Sequence, residues 1–188
     1  MLVVNYVQPI KDKNQINELR EALKLGTQAK RNVFLLELGI RCPARISDLL
    51  QLRVADVRGV ARIKIKESKT GKVNEYIVNN QLAPIITEYT NGMADEDYLF
   101  PSRKGDKPIT RTQAYRVLNK ASDWAGLDLE LGCHSLRKTF SYHYYRLNPS
   151  ENLAYLQQIL KHSSTAVTLR YIGIEQEEIA DSLQELTF

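Results

Sequence analysis

The sequence predicts a mainly α domain with one small antiparallel β-sheet (α+β). Three observations carry that prediction. Apolar residues recur at helical spacing through most of the 188 residues. A single segment, Val60 to Glu67, alternates strictly instead, and the turn after it, Ser68-Lys69-Thr70-Gly71-Lys72, leads into a second extended run. With 43% hydrophobic and 26% charged residues, a chain of this length buries a core as one domain without staples.

Residues 1–14 hold no sustained period and are expected as a loosely attached lead-in. Gln15 to Lys24 carries Ile16, Leu19, Ala22 and Leu23 at helical spacing and stops near Gly26. Thr27 is the expected cap of a second helix, and Val33, Phe34, Leu35, Leu36, Leu38 and Ile40 leave it so little polar surface that it belongs in the centre of the core. The pattern breaks over residues 39–44 and restarts at Arg45, with Ile46, Leu49 and Leu50 inward and Arg45 and Asp48 together on another face. In the alternating strand Ala61, Ile63 and Ile65 fall on one side and Arg62, Lys64 and Lys66 on the other. Gly71 supplies the positive φ of the turn and Val73 to Asn79 the return strand, so Lys69 sits at a hairpin tip.

A short helix is expected over Pro84 to Tyr89, and Tyr98-Leu99-Phe100 as a third short strand or a docked loop. Arg103 to Pro108 is a basic, turn-rich connector. Thr110 and Gln113 have the form of a capping box opening a helix with Ala114, Val117, Leu118 and Ala121 inward and a cationic stripe, Arg111, Arg116 and Lys120, outward. After the Gly132-Cys133 break, Leu136, Phe140 and Tyr144 give one helix its buried side and Asn148-Pro149 ends it. Ser150 starts another, with Leu153, Leu156, Ile159 and Leu160 inward. Lys161 to Ser164 is the turn before a short helix bearing Tyr171, and Glu175 to Leu186 forms a last helix with a sparse apolar stripe.

Cys42 and Cys133 are far apart in sequence and in no metal-ligand spacing, which predicts a reducing, cytoplasmic setting and no metal. The apolar start is too short for a signal peptide, and no run approaches membrane-spanning length. The net charge of +4 is unevenly spread. Five acids and no base lie from Glu175 onward, leaving 26 basic against 17 acidic residues before it. A basic body favours a polyanion by counterion release, and an acidic tail is repelled by one and is expected to face protein.

The chemistry concentrates between Cys133 and Ile172. His134-Ser135-Leu136-Arg137-Lys138 and Lys161-His162-Ser163-Ser164 are two clusters of proton carriers and cations, and Tyr171 follows nine residues after His162. Attack on a phosphodiester needs charge neutralised on the non-bridging oxygens, an acceptor for the nucleophile's proton and a donor for the leaving oxygen. Arginine, histidine, lysine and tyrosine supply all of these without a metal or other cofactor. His134 and Arg137, three apart, share one face of a helix beginning near Ser135.

Taken in order, Arg45 in Gly-Ile-Arg-Cys-Pro-Ala-Arg-Ile-Ser-Asp-Leu-Leu, Lys69 in Lys-Thr-Gly-Lys, His134 and Arg137 in His-Ser-Leu-Arg-Lys-Thr-Phe, His162 in Lys-His-Ser-Ser, and Tyr171 resemble the tyrosine recombinases, the phage-integrase family, over roughly Asn32 to Tyr171. The resemblance implies that family's DNA breaking-rejoining catalytic fold and a site-specific recombinase or integrase. Tyr171 attacks a DNA phosphate to give a 3′-phosphotyrosyl link and a free 5′-hydroxyl. Arg45 and Arg137 brace the non-bridging oxygens with His162, Lys69 protonates the leaving 5′-oxygen, His134 takes the tyrosine proton, and Asp48 buttresses the site. It further implies double-stranded DNA as partner, with Lys64, Lys66, Lys72, Arg103, Lys104, Arg111, Arg116, Lys138 and Lys161 as DNA contacts, and a tetrameric synapse assembled through the acidic C-terminal helix, residues 175–188.

Three positions depart from the family pattern. Cys42-Pro43-Ala44 replaces the usual Thr-Gly-Leu before the first arginine, Lys161 replaces a glycine, and Lys138 stands where many relatives have a second histidine. Barely thirty residues precede the catalytic pattern, so the expectation is a single catalytic domain, 1–188, without the N-terminal core-binding domain, either a naturally minimal recombinase or a catalytic fragment, with a weaker grip on DNA. The rival reading is a sequence-specific DNA-binding regulator on the same scaffold, with little or no strand transfer.

Overall fold

The computed structural model describes residues 7–103, 107–132 and 134–174. Its helices are α1 (Lys13–Lys24), α2 (Ala29–Gly39), α3 (Ile46–Leu49), α4 (Leu82–Thr90), α5 (Arg111–Trp124), α6 (Ser135–Leu147), α7 (Pro149–Leu160) and α8 (Thr165–Ile172). Between α3 and α4 a two-stranded antiparallel sheet pairs β1 (Arg62–Lys66) with β2 (Val73–Ile77), in the register Arg62 to Ile77 through Lys66 to Val73.

The second helix is central, as its composition requires. Phe34, Leu35 and Leu38 of α2 enter one apolar cluster with α3, the inward face of β1, α4 and Phe100, while Leu36 enters a second with α1, α5 and the start of α6. Each of these side chains is at most 2% exposed, a burial contributing about 1.5–3 kcal/mol apiece. Gly39 ends α2 against α6: a Cβ there would collide with Leu136, so the glycine allows the close approach that sets the height of Arg137. In β1 Ile63 and Ile65 are buried between exposed neighbours as expected, whereas Ala61, expected on the same side, precedes the strand and is exposed; Gly71 takes φ +68° in the turn.

Several expectations change. The described part of the lead-in is not loose: Ile10 is fully buried, its N–H donates to Thr139 Oγ1 at 2.9 Å, His143 Nε2 meets its carbonyl at 3.0 Å, and Asp12 caps α1. These long-range bonds to α6 leave no trace in local periodicity. The cap of α2 is Gln28, not Thr27, and makes no side-chain capping bond. α4 begins two residues before Pro84 because Asn79 Oδ1 accepts from the N–H groups of Gln81 and Leu82, and proline is tolerated in a first turn. Tyr98-Leu99-Phe100 docks as a loop: Leu99 N–H reaches Leu52 O and Tyr98 forms an isolated bridge to Arg53, without a third strand. In α7 the buried positions are Asn152, Leu156 and Leu160, with Leu153 and Ile159 half-buried; the Asn152 amide donates to Tyr144 O at 2.7 Å. The Thr110–Gln113 capping box opens α5 as read. Lys104, Cys133 and the acidic helix over 175–188 lie outside the described residues.

Candidate active site

Two groups of elements converge, one from α3 and the hairpin and one from α6, α7 and α8. On the first side Arg45 is the N-cap of α3 in extended conformation, directly after the rigid Pro43-Ala44 step. Asp48 does not pair with Arg45. It is 4% exposed, and Oδ1 accepts from Ser68 Oγ at 2.7 Å and Ser68 N–H at 3.1 Å, so α3 is pinned to the root of the hairpin.

Arg45 turns instead to Glu67, with Nη1 3.1 Å from Oε2. Continuing the inward parity of Ile63 and Ile65 brings a carboxylate into the protein at 67, also 4% exposed. There it accepts from Thr70 Oγ1 and Asn74 Nδ2 and lies 3.6 Å from Lys161 Nζ. Burial pushes the Glu67 carboxyl up, but hydrogen bonds from Thr70 and Asn74 and the close Arg45 guanidinium outweigh it and bring it down to about 2. Glu67 was missed as a functional candidate, although strand parity alone points it inward. Lys69 is exposed at the hairpin tip.

On the second side His134 is the N-cap residue of α6, and Arg137, one turn on, is 7% exposed. Lys161 ends α7 in the left-handed conformation at φ 58°, the one described non-glycine residue with positive φ, and this reversal presents His162. His162 Nδ1 meets Thr168 Oγ1 at 3.2 Å. Ser164 caps α8 through the Val167 N–H, and Tyr171 follows on that helix. The Tyr171 ring lies edge-to-face with His162 at 4.9 Å and with His134 at 6.4 Å between centroids. Lys138 is not a surface contact: it is 5% exposed, and its ammonium sits 5.1 Å from the centre of the Tyr171 ring.

The electrostatics follow from this crowding. Burial pushes the Tyr171 phenol up to about 12, with Arg137 and then Arg45 pulling the other way. His134 is held below the usual histidine value by partial burial and then by the charges of Arg137, Lys138, Arg45 and Arg111; His162 is lowered by burial and then by Arg137. Both imidazoles are therefore neutral near pH 7. Burial also lowers Lys138. Among the described residues, the buried side-chain polar atoms without a hydrogen-bond partner are Arg41 Nε, Arg45 Nη1 and Tyr171 Oη. Two of the three belong to this cluster: Arg45 Nη1, which faces the Glu67 carboxylate without an aligned hydrogen bond, and the Tyr171 hydroxyl, left without an acceptor at a cost of about 1–3 kcal/mol. No group of three or more His, Cys, Asp or Glu among the described residues is placed to hold a metal ion.

The outer cations divide. Lys66 and Lys72 are exposed on the hairpin, and Lys64 pairs across it with Glu75 at 3.6 Å. The stripe on α5 is split: Arg111 acts on His134, whereas Arg116 and Lys120, roughly 140° or more around the helix, line a groove with Arg31, Arg103 and Trp124. Lys161 faces Glu67.

The sequence profile described as the phage integrase family matches residues 11–178. Among curated relatives, the probable integrase/recombinase YoeC of Bacillus subtilis (strain 168) is 42% identical over 93% of this chain and 93% of its own length. A tyrosine recombinase of Pseudothermotoga lettingae is 29% identical over 90% of this chain, which spans 59% of that protein. Among solved structures, XerA recombinase superposes with a TM-score of 0.74 at 20% identity, over 98% of this chain and 66% of that one. XerH recombinase bound to palindromic difH substrate, a post-cleavage complex, gives 0.71 at 18% identity over 96% and 53%. At these identities the superpositions establish the fold alone, and it is that of recombinase catalytic domains. With the profile covering most of its length and a relative aligned almost end to end, the chain belongs to the phage integrase family.

Proposed function

We propose that this chain is the catalytic unit of a site-specific tyrosine recombinase, cutting and rejoining DNA strands through Tyr171. The observation that carries the reading is the buried Tyr171 hydroxyl, without a hydrogen-bond partner and within the field of Arg137 and Arg45. A phosphodiester is the group that such a hydroxyl, flanked by two guanidinium charges, would meet.

In the forward step the Tyr171 oxygen forms a bond to phosphorus and the bond from phosphorus to the 5′-oxygen breaks. Arg45 and Arg137 neutralise the charge building on the non-bridging oxygens. His162 adds a hydrogen bond from Nε2 to phosphate in the tautomer whose Nδ1 accepts from Thr168 Oγ1, the hydroxyl turning to it from Ser164 O. His134, neutral near pH 7 and packed against the Tyr171 ring, accepts the phenolic proton. Lys69 delivers a proton to the leaving 5′-oxygen, and Asp48 fixes α3 against the hairpin that carries it. The reverse sequence, with another strand's 5′-hydroxyl as nucleophile, completes the exchange. The 3′-phosphotyrosyl link conserves the bond energy, so no nucleotide cofactor enters.

Double-stranded DNA is the substrate, gripped by Lys66, Lys72 and Arg111 around the site. Solved relatives include a lambda integrase dimer bound to a core site and a tetramer bound to a Holliday junction, which supports assembly on DNA here. The acidic segment 175–188 docks on a neighbouring subunit in this reading, and the cytoplasm is the site of action. Deleting that segment is expected to abolish synapsis and spare DNA binding; unchanged recombination would refute the docking role. The activity itself is tested with a nicked suicide substrate carrying the protein's site. A covalent adduct from wild type and none from Tyr171→Phe is expected, whereas sequence-specific binding without any adduct would establish the regulator instead.

A further inference from the structure

Glu67 lies at the point where three elements of the site meet. Its Oε2 is 3.1 Å from Arg45 Nη1 at the cap of α3, and Thr70 Oγ1 donates to the same oxygen from within the hairpin turn at 2.6 Å. Its Oε1 accepts from Asn74 Nδ2 on β2 and lies 3.6 Å from Lys161 Nζ, the residue before His162. The carboxylate is 4% exposed, so these charges act on it with little screening from water. An isolated carboxylate buried this deeply would shed its charge by taking a proton. Glu67 does the opposite, with its pKa down at about 2, because its partners together outweigh the loss of solvent.

The contact to Arg45 is a charge pair without an aligned hydrogen bond from Nη1, which retains no acceptor of its own. A guanidinium has five N–H donors in a rigid fork, so one edge can be held by Glu67 while the others remain for a phosphate. The Cys42-Pro43-Ala44 step leading into Arg45 is rigid, and among the described residues Glu67 is the carboxylate in contact with the Arg45 side chain.

We propose that Glu67 is a positioning residue for strand cleavage, holding the Arg45 guanidinium by one edge and fastening it to the hairpin that carries Lys69 and the turn that carries His162. Glu67 touches no reacting atom. It fixes the relative placement of groups that do, in the way that outer partners orient ligands around a reaction centre. The inference rests on the reading of Arg45 as a phosphate brace.

The test is a double-mutant cycle on single-turnover cleavage of a suicide substrate, with DNA affinity measured in parallel. Glu67→Gln keeps the shape and removes the charge. It is expected to slow cleavage about 10- to 100-fold in the wild-type background, the scale of an orienting partner, with DNA affinity changed less than about threefold. In the Arg45→Ala background the same substitution is expected to cost less than about threefold, because the group it positions is gone. Equal losses in both backgrounds would show a general structural effect and overturn the proposal. Glu67→Asp keeps the charge and retracts it by one methylene. It is expected to lie between wild type and Glu67→Gln, and serves in the cycle if Glu67→Gln does not fold. Failure of both variants to fold would make Glu67 a folding residue and also overturn the proposal. Absence of any Tyr171-dependent adduct from wild type would instead remove the recombinase reading, and this inference with it, whereas a normal wild-type adduct with additive losses sinks the inference alone.

Discussion

The two halves of the site are built on different principles. The α6–α8 half surrounds Tyr171 with His134, His162, Lys138 and the field of Arg137, and what meets the Tyr171 ring there is two imidazoles edge-on and an ammonium. The hairpin half is held by carboxylates, Asp48 on Ser68 and Glu67 on Arg45, and leaves Lys69 exposed at its tip. The difference follows from what each half has to do. A nucleophile must be kept dry and aimed, so it is packed in place. A proton donor for a leaving group has to arrive with the substrate, so it is carried on an exposed turn whose base alone is fixed.

The largest effect is expected from breaking the packed half. Arg137→Ala removes a 7% exposed charge that acts on Tyr171, His134 and His162 at once. Single-turnover cleavage is expected to fall by about 10³-fold, the upper range for loss of one transition-state donor. A loss no larger than about tenfold would show that Arg137 does not face the phosphate.

Lys69→Ala tests the exposed half. Cleavage is expected to drop by roughly 10²–10⁴-fold, the usual worth of a general acid, with little change in melting temperature because the Lys69 side chain is exposed. A substrate with sulfur in place of the bridging 5′-oxygen should restore most of the rate, since a thiolate leaves without a proton. Absence of rescue would remove Lys69 from that role.

A pH series separates the halves further. All three histidines, His134, His143 and His162, are lowered below the ordinary value of 6.5, burial leading in each case. The folded protein keeps them neutral, so on acidification the unfolded chain takes up protons first. Stability is therefore expected to be full above about pH 6.5, to fall as pH drops from there through the depressed folded values, and to lose nothing more from these groups below them. Glu67, at about 2, stays ionised throughout that window. Cleavage is expected to fall over the same range as His134 ceases to accept a proton. His143 bonds Ile10 O outside the site, so His143→Gln should blunt the pH dependence of stability and leave the pH profile of cleavage unchanged. A shifted cleavage profile in that variant would contradict the assignment.

The smallest effect concerns Lys161. Lys161→Gly relieves a left-handed conformation costing about 1 kcal/mol and loses a partly exposed ion pair worth about 0–1 kcal/mol, so the two nearly cancel. Urea denaturation should give stabilities within about 1 kcal/mol of each other. A destabilisation of several kcal/mol would mean that the strut from Glu67 to the His162 turn bears more than its geometry indicates.

What was legible in the sequence follows the same division. Features written in local period or cap chemistry emerged as read: the buried second helix, the alternating hairpin with Gly71, and the Thr110–Gln113 box. The grouping of His134, Arg137, His162 and Tyr171 was readable because short helices and one reversal separate them. Features made by contacts across the chain were not. Ile10 is tied to Thr139 over 129 residues, and the Asp48 bond to Ser68 spans 20. Lys138 read as an outer cation because one position along a helix does not announce which face the core will take, and here Leu136, Arg137, Lys138 and Thr139 are all buried. Glu67 was the recoverable miss, since the parity of Ile63 and Ile65 already placed it inward.

The central claim is that one phenol among ten tyrosines is poised against the cation cluster. Proteolysis of the suicide-substrate adduct followed by mass spectrometry tests it most directly. The peptide containing Tyr171 is expected to carry the nucleotide through a 3′-phosphate, with a free 5′-hydroxyl on the released strand. Attachment to any other tyrosine, or a 5′-phosphate linkage, would contradict the account.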